Sequence, residues 1–259
     1  MDLAFDGLVC DMDGVIYRGA EPIPGSVEAV HSLRDAGVRT LFCTNNSRST
    51  VEQYVAKLGG MGIDAEPADI LTSAVVTGEV LAGRDLAGKR ALVVGGDGVR
   101  AAVAAAGLEV VAYAEGRRAE VVAVGWDPEF TYERMKEASL AVRAGALLIA
   151  TNDDASFPAA DGLWPGAGAV LASIETASGA RAEVMGKPHE PMMRAAAARL
   201  AGCERLAIVG DRPDTDLAGG RVMGWTTILV LSGVTMPADL DSVRPAPDLV
   251  VERLADLVQ

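Results

Sequence analysis

The amino-acid sequence predicts an α/β protein, with a Rossmann-like parallel-sheet core domain and a second α/β domain inserted into it. Short apolar runs alternate with helical patterns along all 259 residues, which is the rhythm of βαβ units. This rhythm restarts near Gly83, which predicts a core of residues 1–82 and 182–259 and an insertion of residues 83–181. The predicted helices cover residues 26–36, 47–58, 73–81, 99–106, 132–144, 190–200 and 251–257. After a first strand at residues 8–10, the predicted strands cover residues 38–43, 91–94, 110–113, 121–124, 147–150, 206–209 and 227–231.

The composition of the chain limits its partners and its compartment. The formal net charge is −13, and nucleic acid needs basic patches, so no nucleic-acid partner is expected. No basic-then-apolar leader opens the sequence and no apolar run reaches about 18 residues, so no membrane partner is expected either. The three cysteines match no zinc or disulfide framework. A cytoplasmic location is the simplest inference.

Two aspartates follow the first apolar run. Residues 8–10 predict a buried strand of a parallel sheet, and ligands bind at the carboxyl ends of such strands. Asp11 and Asp13 stand at that end, and Gly14 allows a sharp turn after them. Carboxylates this close repel each other unless a cation lies between them or one is protonated. They predict a nucleophile, Asp11, and an acid–base partner, Asp13, beside a hard metal ion; a polar loop without function is the alternative.

A second strand end carries hydroxyl and amide groups. The strand predicted at residues 38–43 is followed by Thr44, Asn45 and Asn46. We expect Ser47 to cap the next helix. A hydroxyl and free backbone N–H groups at a helix start can bind phosphate, although ordinary capping explains this stretch equally well.

The predicted insertion contains a glycine-rich turn that is typical of another enzyme class. Gly96, Gly98 and Ala101 follow a predicted strand and open a predicted helix, with Glu115 about twenty residues on, as in the dinucleotide-binding fingerprint. An NAD-dependent oxidoreductase is therefore an alternative function. Asp97 argues against it, because it would place a carboxylate beside the pyrophosphate, and a tight strand-to-helix turn explains the same residues.

Charged residues also mark the return to the first domain. Lys187 lies directly before Pro188, which fits the start of a helix. A lysine there opposes the helix dipole, so anion binding is favoured over a structural role. Further on, the strand at residues 206–209 is followed by three carboxylates in six residues, among them Asp211 and Asp216, and such a cluster is costly without a cation.

Together these signals resemble the haloacid dehalogenase superfamily. The insertion is similar to that of the subfamily with a large α/β cap domain between the second and third motifs, which includes nitrophenylphosphatase-like enzymes. Two residues depart from the pattern. Asp153 stands where Pro is expected, which leaves the cap-loop geometry open, and Pro213 stands where an apolar residue is expected, which alters the turn between Asp211 and Asp216. The motifs in chain order are Asp11/Asp13, Thr44/Asn45, Lys187 and Asp211/Asp216, with further similarity at Asp13–Gly19, Thr151–Asp154 and Pro165–Gly168.

The resemblance implies a phosphatase that uses Mg²⁺ and acts on a small phosphate ester. In such an enzyme Asp11 attacks phosphorus, and Asp13 protonates the leaving oxygen and later activates water. Lys187 offsets the charge between Asp11 and the phosphate. The implied phosphate-binding residues are Thr44, Asn45, Asn46 and Lys187. The implied metal ligands are Asp11, the Asp13 backbone carbonyl and Asp211, with Asp216 orienting bound waters.

The substrate and the assembly stay open. Substrates in this subfamily include sugar, glycerol, nucleotide, pyridoxal and p-nitrophenyl phosphates and phosphoglycolate, and we expect loops 151–158 and 163–168 to choose among them. A homo-oligomer is left open. A second alternative function is a phosphoacceptor regulatory domain, which also places Asp, Thr or Ser, and Lys at strand ends. Such a domain would be much shorter and would need no insertion.

Overall fold

A computed structural model describes residues 4–159 and 162–258, which form an α/β fold as predicted. Residues 1–3, 160–161 and 259, included in the predicted domains, lie outside the described residues. The strands are β1 (Gly7–Cys10), β2 (Tyr17–Arg18), β3 (Glu21–Pro22), β4 (Arg39–Thr44), β5 (Ile70–Thr72), β6 (Arg90–Val94), β7 (Glu109–Val111), β8 (Val121–Val124), β9 (Leu147–Ala150), β10 (Ser156–Ala159), β11 (Gly162–Pro165), β12 (Glu183–Val184), β13 (Leu206–Gly210), β14 (Thr226–Val230) and β15 (Leu249–Val251). The helices are α1 (Ser26–Asp35), α2 (Val51–Gly60), α3 (Ser73–Ala82), α4 (Asp97–Ala105), α5 (Tyr132–Arg143), α6 (Ala167–Ser178), α7 (Glu190–Arg199) and α8 (Ala218–Met223).

The chain folds into two compact units. Of the described residues, the first unit comprises 4–44, 52–71 and 187–258, and the second comprises 45–51, 72–159 and 162–186. The sequence analysis assigned α3 to the first domain, whereas it belongs to the second unit. It packs closely against α4, where Gly78 leaves no room for a Cβ beside the backbone of Ala102.

The first unit is built on a six-stranded sheet in the order β15-β14-β13-β1-β4-β5. β1 lies between β13 and β4 and is parallel to both. All four residues of β1 are buried, which explains its continuous apolar pattern. Because β1, β13 and β4 are parallel neighbours, the residues that follow them meet at one edge of the sheet.

The second unit contains a five-stranded parallel sheet in the order β12-β9-β8-β6-β7. Its core is almost entirely aliphatic, in keeping with the 4% aromatic content of the sequence. Strands β10 and β11 form a separate antiparallel hairpin in this unit. The buried core residues include Leu92, Val94, Val122, Val124, Ala138, Leu148, Leu171 and Ile174.

Two predicted features differ from the structure, and one helix was not predicted. Helix α2 begins at Val51, so Ser47 does not cap it. The predicted C-terminal helix is wrong, because its first residue, Val251, ends strand β15 and only a short 3₁₀ turn, Leu254–Leu257, follows. Helix α6 was not predicted, although its buried positions recur at the helical spacing in an Ala- and Gly-rich stretch.

No helix among the described residues is both long enough and apolar enough to cross a bilayer.

Candidate active site

Asp11 follows β1 directly and is buried. Its backbone N–H donates to the carbonyl of Val209 in β13, so the strand pairing continues one residue past β1. Its side chain is only 10% exposed, and Oδ1 accepts a hydrogen bond from Lys187. A carboxylate this deeply buried needs a nearby positive charge or hydrogen bonds to offset its loss of hydration.

Lys187 lies between two carboxylates. Its Nζ donates to Oδ1 of Asp11 and to Oδ1 of Asp216, each at 2.6 Å, and to the carbonyl of Cys43 at 3.2 Å. Burial alone would lower the pKa of Lys187, but the two carboxylates outweigh burial and hold the pKa well above its usual value. Helix α7 begins only at Glu190, so the segment before the helix positions this lysine, not the helix start itself.

Asp211 and Asp216 follow β13. Asp216 lies in a single π turn, Pro213–Leu217, which begins at the unexpected proline. Its Oδ2 accepts the N–H of Arg212, and its Oδ1 accepts Lys187, so both oxygens are hydrogen-bonded. Asp211 uses Oδ2 to accept the N–H of Val234 at 2.6 Å. Asp211 thus follows β13 directly, and the π turn brings Asp216 back to the same end of the sheet.

Close packing holds Asp211 in place. Gly14 has a φ of +84°, and a Cβ at this position would collide with the Asp211 carboxylate. A Cβ at Gly233 would collide with the same side chain. The hydroxyl of Thr235 donates to the Asp211 carbonyl at 2.6 Å, and Ser232 Oγ donates to the Gly14 carbonyl at 2.7 Å. Sequence reasoning missed this 232–235 segment, although a glycine flanked by hydroxyl residues after a strand was its signal.

The three carboxylates form a cluster that could hold a metal ion. One oxygen each from Asp11, Asp211 and Asp216 lies within 4.8 Å of the others, and Lys187 is the cation that pairs with two of them. Burial raises the pKa of Asp11 well above its usual value; Lys187 opposes the rise, and Asp216 and Asp211 add to it. Burial and the charge of Asp216 raise the pKa of Asp211 to about 7. With all three carboxyl groups ionised, the cluster would carry more negative charge than its single lysine neutralises, and the raised pKa values express that imbalance.

Asp13 has different neighbours from Asp11. It is half-buried, and it pairs with Tyr17 in an isolated backbone bridge. Burial raises the pKa of Asp13, whereas Lys57 and then Lys187 lower it. A carboxyl group with a raised pKa holds its proton more readily at neutral pH, as an acid catalyst must.

The predicted phosphate-binding residues fall in two places. Thr44 is the buried last residue of β4, in the first unit. Asn45 and Asn46 belong to the second unit. The side-chain amide of Asn45 donates to both carboxylate oxygens of Asp154, each at 3.2 Å, and Asn46 Oδ1 accepts the N–H of Arg48. The structure therefore groups Asp11, Lys187, Asp211 and Asp216 directly, and ties Asn45 to a loop residue of the second unit.

The glycine-rich turn of the alternative oxidoreductase is filled by the chain itself. A Cβ at Gly98 would collide with the backbone carbonyls of Ser47 and Ser49, and its N–H donates to the carbonyl of Arg48 at 2.8 Å. Gly96 likewise packs against Arg48. The space and the N–H group that a pyrophosphate would need are therefore occupied, and these glycines serve packing within the second unit.

Comparisons with known proteins agree with this geometry. Models of haloacid dehalogenase-like hydrolases match residues 8–109 and 184–257. An acid sugar phosphatase of Staphylococcus aureus (strain USA300) is 34% identical over 245 residues, which are 94% of this chain and 93% of the relative. The chain belongs to the haloacid dehalogenase-like hydrolases. This confirms the predicted family and excludes the phosphoacceptor regulatory domain as its class.

Solved structures of this family share the whole fold. The p-nitrophenyl phosphatase of Archaeoglobus fulgidus is 34% identical, with a TM-score of 0.89 over 98% of both chains. A glycerol phosphate phosphatase of Mycobacterium tuberculosis, solved in complex with magnesium, is 35% identical, with a TM-score of 0.88 over 98% of this chain and 76% of the other. The predicted enzyme class, a haloacid dehalogenase-type phosphatase with a cap domain, is confirmed at this level.

Proposed function

We propose that this haloacid dehalogenase-like phosphatase hydrolyses small phosphate monoesters through an aspartyl-phosphate formed on Asp11, with Mg²⁺ as its cofactor. The observation that carries the proposal is the buried cluster of Asp11, Asp211 and Asp216, whose three carboxyl groups exceed in number the single cation, Lys187, that pairs with two of them. A purely structural cluster would not keep this excess, because buried charge without compensation is costly.

The cluster fits a hard divalent cation. Mg²⁺ prefers oxygen ligands and keeps several waters, so one or two carboxylates are enough to hold it. Within the described part of the chain, Oδ2 of Asp11 and Oδ1 of Asp211 accept no hydrogen bond, whereas both oxygens of Asp216 do. Asp11, Asp211 and the Asp13 backbone carbonyl would therefore hold the ion, and Asp216 would act through Lys187 and water. When bound, Mg²⁺ supplies charge stabilisation to the transferring phosphoryl group.

The residues of the chain divide the two chemical steps between them. In the first, one oxygen of Asp11 forms a bond to phosphorus while the bond from phosphorus to the ester oxygen breaks, and Asp13 gives its proton to that oxygen. In the second, Asp13 takes a proton from water as the water attacks phosphorus, and the bond from phosphorus to Asp11 breaks. The raised pKa of Asp13 suits it to begin as the acid.

We assign binding of the phosphoryl group to Lys187 and to the residues at and after the end of β4 in the chain. Lys187, already at 2.6 Å from Asp11, offsets the negative charge between the nucleophile and the phosphate. The hydroxyl of Thr44 and the backbone N–H of Asn45, with Asn46 beside them, would hold the phosphoryl oxygens. The side chain of Asn45 is turned to Asp154, so its backbone is the group proposed to serve the phosphate.

The substrate class follows the relatives. Those described above are named for sugar, p-nitrophenyl and glycerol phosphates, and we propose that this chain takes a soluble ester of that kind rather than nucleic acid. We propose that residues 83–181 serve as the cap, with loops 151–158 and 163–168 selecting the leaving group. The three cysteines are free, in keeping with the proposed cytoplasmic location.

A phosphate-release screen tests the proposal. Wild-type protein would be assayed against glycerol, sugar, nucleotide, pyridoxal and p-nitrophenyl phosphates and phosphoglycolate, with Mg²⁺ and after EDTA treatment. We expect Mg²⁺-dependent release and a clear ranking of kcat/KM among the esters. Release that survives complete metal removal would contradict the assigned cofactor, and no release from any ester would contradict the proposed function.

A further inference from the structure

Two residues that the sequence analysis left without a role lie beside Asp13. We propose that the Tyr17 hydroxyl and the Lys57 ammonium form a positioning pair that orients the Asp13 carboxyl group for proton transfer to the leaving group. This inference rests on the proposed function, because the transfer is the step assigned to Asp13 there. The proposal gives neither residue a contact with the phosphoryl group, so both would act through Asp13.

The Tyr17 hydroxyl is not explained by packing. The side chain is fully buried, and among the described residues its hydroxyl makes no hydrogen bond of full geometry. It lies close enough to the Asp13 carboxyl group to lower the pKa of that group. A buried hydroxyl without a partner is unfavourable, and phenylalanine would fill the same space without that cost. Burial and the nearby charge of Asp13 raise the pKa of Tyr17, so the group stays a neutral O–H donor. The neighbouring carboxyl group to which this hydroxyl could donate a hydrogen bond is that of Asp13.

Lys57 lies on the face of the same ring. Its Nζ is 3.2 Å from the centroid of the Tyr17 ring, a cation–π contact that keeps the half-buried ammonium in place. No ion pair among the described residues includes Lys57. Burial lowers the pKa of Lys57, and Asp13 raises it, so Asp13 is the carboxylate whose charge reaches it.

The backbone fixes Tyr17 relative to Asp13 without help from the hydroxyl. The N–H of Gly14 donates to the Tyr17 carbonyl at 2.8 Å, and the N–H of Tyr17 donates to the Met12 carbonyl at 3.2 Å. Asp13 and Tyr17 also form a backbone bridge. Removing the hydroxyl alone should therefore leave this loop folded, which makes Tyr17→Phe a clean variant.

The choice of leaving group separates a positioning role from a structural one. An alkoxide such as that of glycerol phosphate needs a proton as its bond to phosphorus breaks, whereas p-nitrophenolate leaves without one. A misplaced Asp13 should slow the alkyl ester and largely spare the nitrophenyl ester. Damage to the fold or to phosphate binding would slow both.

The experiment compares kcat/KM for glycerol phosphate and p-nitrophenyl phosphate, with Mg²⁺ present, in the wild type and in Tyr17→Phe, Lys57→Met and Lys57→Arg. General acid catalysis contributes about 10²–10⁴-fold, and we expect each of the first two variants to lower the alkyl-to-nitrophenyl ratio about tenfold. Lys57→Arg keeps a cation over the ring and should restore most of the ratio. Tyr113→Phe and Lys89→Met, matched changes in the second unit, should leave the ratio unchanged.

The outcomes separate this inference from the proposed function. A selective loss on glycerol phosphate, with rescue by Lys57→Arg, supports the positioning pair. Equal losses on both esters, or no loss in Lys57→Met and Tyr17→Phe, would overturn it while leaving the phosphatase assignment intact. Should Tyr17→Phe unfold, the half-buried Lys57 variants decide the matter alone. A wild-type protein inactive on both esters would overturn the proposed function, and the inference with it.

Discussion

The two compact units have parallel sheets of similar design, yet their strand ends differ in charge. In the first unit, the ends of β1 and β13 lead to buried carboxylates that share one lysine. In the second unit, the polar groups after β9 satisfy one another: Thr151 Oγ1 donates to Ser47 Oγ at 2.9 Å, and the Asn152 amide donates to the Asn45 carbonyl at 2.7 Å.

This difference shows which feature of a strand end indicates catalysis. Both units follow the rule that polar residues gather at the carboxyl ends of parallel strands. In the second unit the hydrogen bonds after β9 close within the protein, and Gly96 and Gly98, after β6, are in contact with backbone. Among the described residues, the carboxylates that outnumber their paired cation lie in the first unit, which is why we propose its strand ends as the site for a cation and a phosphate.

The sharpest test of the contrast exchanges one buried carboxylate in each unit. We expect Asp11→Asn to lower kcat roughly 10⁴-fold or more, the scale on which loss of a nucleophile acts. Its melting temperature should not fall, because the change removes charge from a cluster with an excess of it. The measurements are phosphate release and a thermal melt.

Asp127→Asn is the matched control. Asp127 is also buried, but Arg134 neutralises it through both oxygens, at 2.9 and 2.8 Å. This variant should lose stability and keep its turnover at a temperature where it is folded. A turnover near that of the wild type in Asp11→Asn would remove Asp11 as the nucleophile and erase the contrast between the units.

Metal binding tests the contrast without relying on activity. Mg²⁺ at a hundredfold excess over its Kd should raise the free energy of unfolding by about 2.7 kcal/mol, because it binds the folded state only. Titration calorimetry should detect the same binding. Asp211→Asn should abolish both signals, since Asp211 holds an oxygen free of hydrogen bonds within the described part of the chain.

Glu137→Gln provides the control for the metal experiment. Glu137 lies in the second unit and is paired with Arg117 at 2.9 Å, so its loss should leave Mg²⁺ binding unchanged. Equal binding by wild type and Asp211→Asn would show that the ion, if bound, lies elsewhere.

The close packing of Gly98 in the second unit can be tested by adding a methyl group at this position. Gly98→Ala places a Cβ against the carbonyls of Ser47 and Ser49, and such overpacking typically costs about 1–3 kcal/mol of unfolding free energy. Gly59→Ala, in α2, meets no atom within 4 Å and should stabilise the protein slightly through its helix propensity. Denaturant unfolding of both variants measures the difference. A Gly98→Ala protein as stable as Gly59→Ala would mean that this turn is open, which would return the nucleotide-binding alternative to consideration.

Much of the fold and of the site could be predicted because the relevant signals are local. Apolar runs locate β1, β8 and β9, and the Asp, Thr and Lys residues at strand ends mark the candidate site. The periodicity of α6 was present but was diluted by Ala and Gly, which fit several structures. The C-terminal segment was predicted as a helix, whereas β15 pairs with β14, a contact made through the fold that local propensity cannot specify.

The residues that sequence reasoning missed are those whose role depends on tertiary contacts. Tyr17 and Lys57 are forty residues apart in the chain and become neighbours only when α2 packs in the first unit. Ser232 and Thr235 similarly reach Gly14 and Asp211 across more than twenty residues of sequence. Their residue types alone carry no signature, whereas the Asp11 and Lys187 motifs do.

The last prediction concerns Asn45, the point at which the sequence passes from one unit to the other. Its carbonyl is held by Ser73 Oγ at 2.6 Å as well as by Asn152, while its side chain is held by Asp154. Asp154→Ala removes only the contact to the Asn45 side chain and leaves both contacts to its carbonyl. Loss of a hydrogen bond to a charged group costs about 1–3 kcal/mol. We therefore expect KM to rise up to about tenfold with little change in kcat. Mg²⁺ affinity should stay the same.

A double-mutant cycle makes this prediction decisive. If the Asn45 side chain hydrogen-bonds only Asp154 while its backbone N–H binds the phosphate, Asn45→Ala should raise KM as much as Asp154→Ala does. The KM of the double variant should then be no higher than that of either single variant. Asp153→Ala, at the exposed neighbouring position, is the control and should leave KM unchanged. Additive losses would instead mean that the Asn45 amide contacts the substrate directly. A loss of Mg²⁺ binding in Asp154→Ala would mean that a residue of the second unit contributes to metal binding. The contrast drawn above would then be wrong, because the polar groups at the strand ends of the second unit would do more than hydrogen-bond to one another.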